Sequence, residues 1–291
     1  MNHTIQNACL KVAVAELGAE LQSIVGADGT EYLWQGDSKY WSNRAINIFP
    51  YVARLTEGCY SMDGKRYSMK IHGIAPYLDF VLTGKTEDTM VFSLEDNEET
   101  LAHYPRKFCF QIIYRLVNNT LEVTFRVENR DEKTMYFGIG GHPGFNVPLE
   151  EGKTFESYRL RFAQDCQPRR VGFTSSNFLN GKTEAFPLEN DTVLPLCHGL
   201  FENGAIVLQD MAKSITLEAE SGGHSVTVSY PGMDYLGIWH WPKTDAPYVC
   251  IEPWCSLPAI QDQLTVFEEQ KNLIRLEAGK TYTNTWTITI E

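Results

Sequence analysis

The chain reads as all-β, a single domain of antiparallel sheets packed as a sandwich, and three observations predict it. Apolar and polar residues alternate with a period of two in segment after segment. Residue pairs suited to tight turns separate those segments, and no 3.6-residue stripe persists beyond a turn or two. A sheet needs to bury only one face, so function is expected on a concave face left open.

The elements follow in order. In YSMDGKRYSM, Asp63-Gly64 supplies the positive φ angles of a two-residue hairpin turn. In CFQIIYRLVNNTLEVTFRVEN, Leu121, Val123, Phe125 and Val127 alternate with Glu122, Thr124, Arg126 and Glu128, a half-buried strand entered through Asn118-Asn119. ITLEAESGGHSVTVSY repeats the pattern around Gly222-Gly223, and the C-terminal TYTNTWTITI alternates Thr against Tyr282, Trp286, Ile288 and Ile290. No fixed-period repeat, low-complexity run or Pro/Ser-rich linker divides the 291 residues, so residues 1–291 are expected to form one domain.

Composition narrows the function classes. A hydrophobic content of 43% supports a large core. A net charge of -12, with no basic cluster larger than Arg169-Arg170, argues against nucleic acid and anionic lipid as partners. Seven cysteines without a C-x-x-C pair read as reduced, mostly buried thiols. The N-terminal MNHTIQNACLKVAVAELGAEL has no basic n-region and its apolar run is broken by Lys11 and Glu16, so a cytoplasmic protein is expected, as monomer or homodimer. In GIGGHPG, Pro143 stands where a dinucleotide fingerprint needs its third glycine, and the βαβ context is missing. There is no phosphate-cradling G-x-x-x-x-G-K-[ST], no G-x-S-x-G elbow and no H-x-H or H-E-x-x-H pair, so neither cofactor nor metal is expected.

Four segments place a polar side chain among residues that stiffen the backbone. They are NIFPYVARLTEGCY with Arg54, MKIHGIAPYLDF with His72, GIGGHPGFNVPL with His142 and YVCIEPWCSLPA with Glu252. Glu252 directly follows the apolar run Tyr248 to Ile251 and precedes Pro253 and Trp254, a setting that desolvates a carboxylate and raises its pKa. Trp254, close to Glu252, is the tryptophan expected in the binding cleft; Trp34, Trp239 and Trp241 are further aromatic surfaces.

In this order, the four segments resemble the aldose 1-epimerase (galactose mutarotase-like) family, and among its branches the LacX-type proteins. The likeness runs from GAELQSIVGADGTEYLWQGDSKYW to GIWHWPKTDAPYVCIEPW. It implies a β-supersandwich enzyme that interconverts the α and β anomers of a free monosaccharide such as galactose or glucose. The residue matching His142 would then be general acid, that matching Glu252 general base, and those matching Arg54 and His72 would hold sugar hydroxyls. The family's sugar-binding aspartate has no clear counterpart; Glu202 and Asp210 are the candidates. Related sugar-phosphate mutarotases read H-G-F-A-R, whereas this chain has Ile74-Ala75-Pro76 after His72-Gly73, which favours a neutral hexose; Arg44 or Lys70 are the alternatives that could meet a phosphate. Ala53 replaces the usual glycine before Arg54.

The residue types suit that chemistry on their own terms. Anomerisation removes a proton from the C1 hydroxyl and delivers one to the ring oxygen, which needs a base and an acid, expected on opposite sides of a pyranose. With ordinary pKa values of about 4.3 for Glu and about 6.5 for His, Glu252 would be the anionic base and His142 would depend on nearby negative charge to stay protonated. The glycines around His142 would let a sugar approach the backbone, with Pro143 fixing the imidazole. Two other classes compete: a non-catalytic carbohydrate-binding protein on the same face, and a glycoside hydrolase or lyase, for which a second carboxylate is not evident.

Overall fold

The computed structural model describes residues 1–291. Two large antiparallel sheets carry the architecture. The nine-stranded sheet runs, edge to edge, through Val193–Pro195, Tyr158–Phe162, Ser214–Ala219, Ser225–Ser229, Thr281–Ile290, Thr120–Asn129, Phe108–Val117, Thr89–Glu95 and Val81–Lys85. The seven-stranded sheet runs through Leu179–Ala185, Arg169–Phe173, Ile206–Gln209, Tyr235–Trp239, Tyr248–Trp254, Gly140–Asn146 and Ala45–Ile48. The single α-helix is one short piece, Glu98–His103, capped by Asn97. No helix is long and apolar enough to cross a membrane.

The alternation in the sequence is realised residue for residue in the nine-stranded sheet. Leu121, Val123, Phe125 and Val127 are fully buried, and Trp286, Ile288 and Ile290 flank them from the neighbouring strand. Their partners point outward, where Thr120–Thr289 and Thr124–Thr285 pair by hydroxyl hydrogen bonds of 2.9 and 2.7 Å. One cluster of 68 buried residues spans both sheets, so the same core supports the site sheet and the scaffold behind it. Each fully buried Leu, Val or Phe contributes about 1.5–3 kcal/mol to holding the two together.

The hairpin turns form as expected. Asp63 and Gly64 both adopt positive φ, as do Asn118 and both Gly222 and Gly223. Two details differ from the expectation. Thr265–Val266 pairs parallel to Cys59–Met62 in a small three-stranded sheet. The cysteines are all free, but only Cys109, Cys250 and Cys255 are buried; Cys9, Cys59 and Cys166 are half-buried and Cys197 is exposed.

Candidate active site

His142 and Glu252 lie 110 positions apart in sequence and meet because their strands are neighbours. Gly140 pairs with Trp254 and Gly144 with Cys250, which sets His142 directly opposite Glu252. Their side chains make contact, His142 Nε2 lying 3.2 Å from Glu252 Oε2. Ladder pairing lapses between them at Gly141 to Pro143, where Pro143 and Pro253 offer no N–H. Both side chains are buried, with exposures of 8% for His142 and 2% for Glu252.

They stand in the wall of a cleft of about 760 Å³ on the open face of the seven-stranded sheet. Arg54, His72 and Trp254 line the same cleft, so all five residues singled out from the sequence converge there. Trp254 follows Glu252 by two and shares its face of the strand, but only 4% of its surface is free. Arg54 and His72 come from two loops beside the edge strand Ala45–Ile48. Backbone hydrogen bonds tie these loops together, from His72 N–H to the Ala53 carbonyl at 2.9 Å and from Ile74 N–H to the Phe49 carbonyl at 2.8 Å. The exposed Arg54 guanidinium makes no ion pair or hydrogen bond with the protein, leaving its donors free for a ligand. His72 Nδ1 accepts a hydrogen bond from Ala53 N–H at 3.3 Å, so its proton sits on Nε2 as a further donor. Burial, and then the nearby Arg54 charge, lower the His72 pKa to about 4 and keep it neutral. Ala53 at φ +55 and His72 at φ +64 are both held in the left-handed region, so alanine in place of glycine at 53 carries some backbone strain.

Three expectations need correction. The acid and base candidates do not flank a ring from opposite sides; at 3.2 Å they form one contiguous pair. Burial pushes the Glu252 carboxyl well up, as its apolar setting predicts, but the His142 imidazole is not kept protonated: burial pushes it well down, aided by His72. The Trp254 indole N–H lies near enough to Glu252 to offset part of that rise, though it forms no hydrogen bond of full geometry. Finally, the glycines beside His142 serve packing. A methyl group on Gly141 would lie 2.5 Å from the Trp286 ring of the opposite sheet, because residue 141 faces the core when 142 faces the cleft.

Of the acidic candidates, Glu202 lines an adjoining groove and Asp210 lines neither that groove nor the cleft. Lys70 reaches the cleft, with its ammonium 4.6 Å over the Tyr77 ring. Arg44 does not; it is held on the Gln22 carbonyl at 2.7 Å. Trp34 is buried against Tyr248 away from the cleft, whereas Trp239 and Trp241 line it.

Sequence reasoning missed two contributors. Trp41 stacks on the His142 imidazole, with centroids 4.8 Å apart and planes at 29°. Only the density of aromatics at Trp34, Tyr40 and Trp41 hinted at it. Gly237 pairs with Glu252, and a methyl group there would sit 3.2 Å from Glu252 Cβ and 3.0 Å from the Trp254 ring. His142, Cys250 and Glu252 bring their donor atoms within 4.8 Å of one another, the arrangement closest to a metal site. Without an ion beside it, burial holds the Cys250 thiol well above its usual pKa.

What the arrangement can do chemically is move a proton. The pair holds the same proton as carboxylic acid plus imidazole or as carboxylate plus imidazolium, and one transfer across 3.2 Å converts the first into the second. His142 Nδ1 has no partner, so no other protein group fixes the tautomer.

Comparison with known proteins agrees with this architecture. The family model described as aldose 1-epimerase matches residues 1–289. The chromosomal protein LacX of Lactococcus lactis subsp. lactis is 30% identical, over 100% of this chain and 99% of that one. A galactose mutarotase related enzyme from Lactobacillus acidophilus superposes with a TM-score of 0.94 at 33% identity, covering 100% of this chain and 97% of the other. A galactose mutarotase-like protein from Lactobacillus casei ATCC 334 gives 0.93 at 32% identity, with 100% of both chains covered. With cleft, sheets and whole-chain matches in accord, this chain belongs to the aldose 1-epimerase family.

Proposed function

We propose that the chain, acting as one domain, interconverts the α and β anomers of a free aldose, with His142 and Glu252 as the proton-transfer pair. The observation that carries the reading is their 3.2 Å contact at the wall of an open cleft. The two oxygens bonded to a hemiacetal carbon are themselves neighbours, so an acid and a base in contact can address both at once. When the shared proton lies on His142, Glu252 is a carboxylate that can take the proton of the C1 hydroxyl while His142 Nε2–H donates to the ring oxygen. The C1–O5 bond breaks, leaving a C1 aldehyde and a C5 hydroxyl.

Rotation about C1–C2 exposes the other carbonyl face. The C5 hydroxyl then adds to C1, His142 recovers its proton, and Glu252 returns one to the new C1 hydroxyl. Both groups end as they began, so no co-reactant is consumed. The Trp41 face against the imidazole favours its charged form during the transfer. Arg54 and His72 Nε2–H supply donors for sugar hydroxyls, and Trp239 and Trp241 supply aromatic surface.

A neutral sugar is favoured because Pro76 lines the cleft where sugar-phosphate relatives carry an arginine. The test is proton NMR of freshly dissolved α-D-glucose and α-D-galactose. Faster approach to anomeric equilibrium, lost in Glu252→Gln, supports the reading. Sugar-induced shifts without acceleration would instead make the chain a binding protein, and release of reducing ends from a disaccharide would make it a hydrolase.

A further inference from the structure

The candidate proton-transfer pair has a third neighbour that anomer interconversion does not use. Cys250 precedes Glu252 by two on the strand Tyr248–Trp254, so its thiol shares the face that carries the carboxyl group. Its sulfur, His142 and Glu252 offer three donor atoms within 4.8 Å of one another, and all three residues are buried. We propose that this triad captures a borderline-soft divalent cation, with Zn²⁺ as the type, and that the captured ion reversibly blocks anomer interconversion. The proposal rests on the anomer-interconverting reading above and adds a regulation to the same site. Local spacing could not show it, because the donors come from two strands that only the fold brings together.

The geometry suits a tetrahedral ion. Zn–N and Zn–O bonds of about 2.0–2.1 Å at a tetrahedral angle hold nitrogen and oxygen about 3.3–3.4 Å apart. His142 Nε2 and Glu252 Oε2 already stand at 3.2 Å, so the pair is a chelate that needs almost no movement. A Zn–S bond of about 2.3 Å asks for about 3.6 Å between sulfur and either partner. Cys250 Sγ lies within 4.8 Å of both, so it has at most about 1.2 Å to close. No protein group competes for this sulfur: Cys255 Sγ accepts the Ile139 N–H at 3.0 Å, whereas the Cys250 thiol takes part in no hydrogen bond. Charge agrees as well, since a thiolate, a carboxylate and a neutral imidazole cancel a dication in a buried setting. Capture of one ion expels two protons to solvent, one from the thiol and one shared by His142 and Glu252. Nitrogen and sulfur donors select Zn²⁺ or Co²⁺ over Mg²⁺ and Ca²⁺, which take oxygen. His142 and Glu252 line the cleft and Cys250 does not, so the fourth position opens to the cleft, toward water or a sugar hydroxyl. The ion occupies the lone pairs that proton transfer needs, so it inhibits. His142 Nδ1 lacks the orienting partner that the ligands of tightly held ions usually have, which makes the ion exchangeable.

The test uses Co²⁺ and Zn²⁺ with the full chain. Co²⁺ should bind once per chain, giving the intense visible bands of a tetrahedral site and a thiolate-to-cobalt band in the near ultraviolet. Zn²⁺ should displace it and abolish galactose mutarotation, and EDTA should restore the rate. Cys250→Ala should lose the near-ultraviolet band and need at least about tenfold more Zn²⁺ for equal inhibition, with a metal-free rate within about threefold of wild type. Glu252→Gln should weaken Co²⁺ binding by a similar factor, a measurement that stands even where the alanine variant does not fold. A near-ultraviolet band that survives Cys250→Ala assigns the ion to another cysteine, the exposed Cys197 foremost, and overturns the proposal. So does inhibition unchanged in Cys250→Ala, or Co²⁺ binding with no loss of activity. If no sugar is anomerised yet Co²⁺ binds through Cys250, the activity reading fails while the metal site stands. Mutarotation indifferent to Zn²⁺ leaves that reading intact and overturns this one.

Discussion

Replacing Glu252 with glutamine separates what this side chain contributes to chemistry from what it costs the fold. Glutamine keeps the shape and can still meet His142, but it cannot ionise. Loss of one positioned proton-transfer group lowers the rate by about 10²–10⁴-fold. The effect on stability runs the other way. Burial holds the Glu252 pKa well above its ordinary 4.5. From 4.5 up to that raised value, the folded chain retains a proton that the unfolded chain has released. Stability from this group therefore falls as pH rises through the interval, by about 1.4 kcal/mol per pH unit, and levels off above the raised pKa. The variant has no such slope. Urea unfolding of both proteins at several pH values between about 5 and 8 reads the difference, and the buried histidines that do not touch residue 252, present in both, cancel to first order. The expected outcome is a stability gap that widens with pH in favour of Glu252→Gln, together with lost mutarotation. Parallel curves, or a wild type that gains on the variant as pH rises, would mean that Glu252 is comfortable as an anion and would refute the burial argument.

Further substitutions probe the supporting structure. Trp41→Leu should lower kcat by roughly three- to thirtyfold with a smaller change in KM, since a lost cation–π contact is worth about 0.5–2 kcal/mol, and NMR mutarotation rates check it. Gly141→Ala should cost about 1–3 kcal/mol in urea unfolding, because its methyl group meets the Trp286 ring at 2.5 Å. Ala53→Gly should leave stability unchanged or raise it by up to about 1 kcal/mol, relief of the φ +55 strain being partly offset by a more flexible unfolded chain. His240 is fully buried with its pKa lowered to about 4 by burial, so its contribution is complete above about pH 6.5 and is lost as pH falls to about 4. Unfolding of His240→Gln followed over that window should show an acid limb shallower by roughly 3 kcal/mol in total.

How much of this the sequence alone declares depends on how local the physics is. Leu121 to Val127 and Trp286 to Ile290 declare their buried face by alternation alone, and Asp63-Gly64 declares its turn by φ preference. That the candidate residues would gather was also readable, since Arg54, His72, His142, Glu252 and Trp254 line one cleft. Their arrangement was not. Whether His142 and Glu252 face each other depends on which strands neighbour and in what register, and no local pattern encodes a pairing across 110 residues. The role of Gly141 was misread for the same reason: the ring it accommodates, Trp286, belongs to the other sheet. Trp41 escaped notice because its partner is an imidazole a hundred residues away.

The site nevertheless announces itself by where local rules fail. Proline is ordinarily kept out of central strands, yet two adjacent inner strands of the seven-stranded sheet each carry one, Pro143 and Pro253, immediately after His142 and Glu252. Buried ionisable residues are ordinarily replaced by apolar ones at no loss of stability, yet these two strands bury an imidazole and a carboxyl against each other. A sheet selected for stability alone would have a continuous ladder and aliphatic side chains at both positions. Interrupting the ladder beside the very residues that are costly to bury destabilises the fold twice at one place, and it does so where the sheet faces an open cleft. That coincidence is what a site maintained for proton transfer predicts, and it implies that joint replacement of His142 and Glu252 by leucine should give a more stable protein without mutarotase activity.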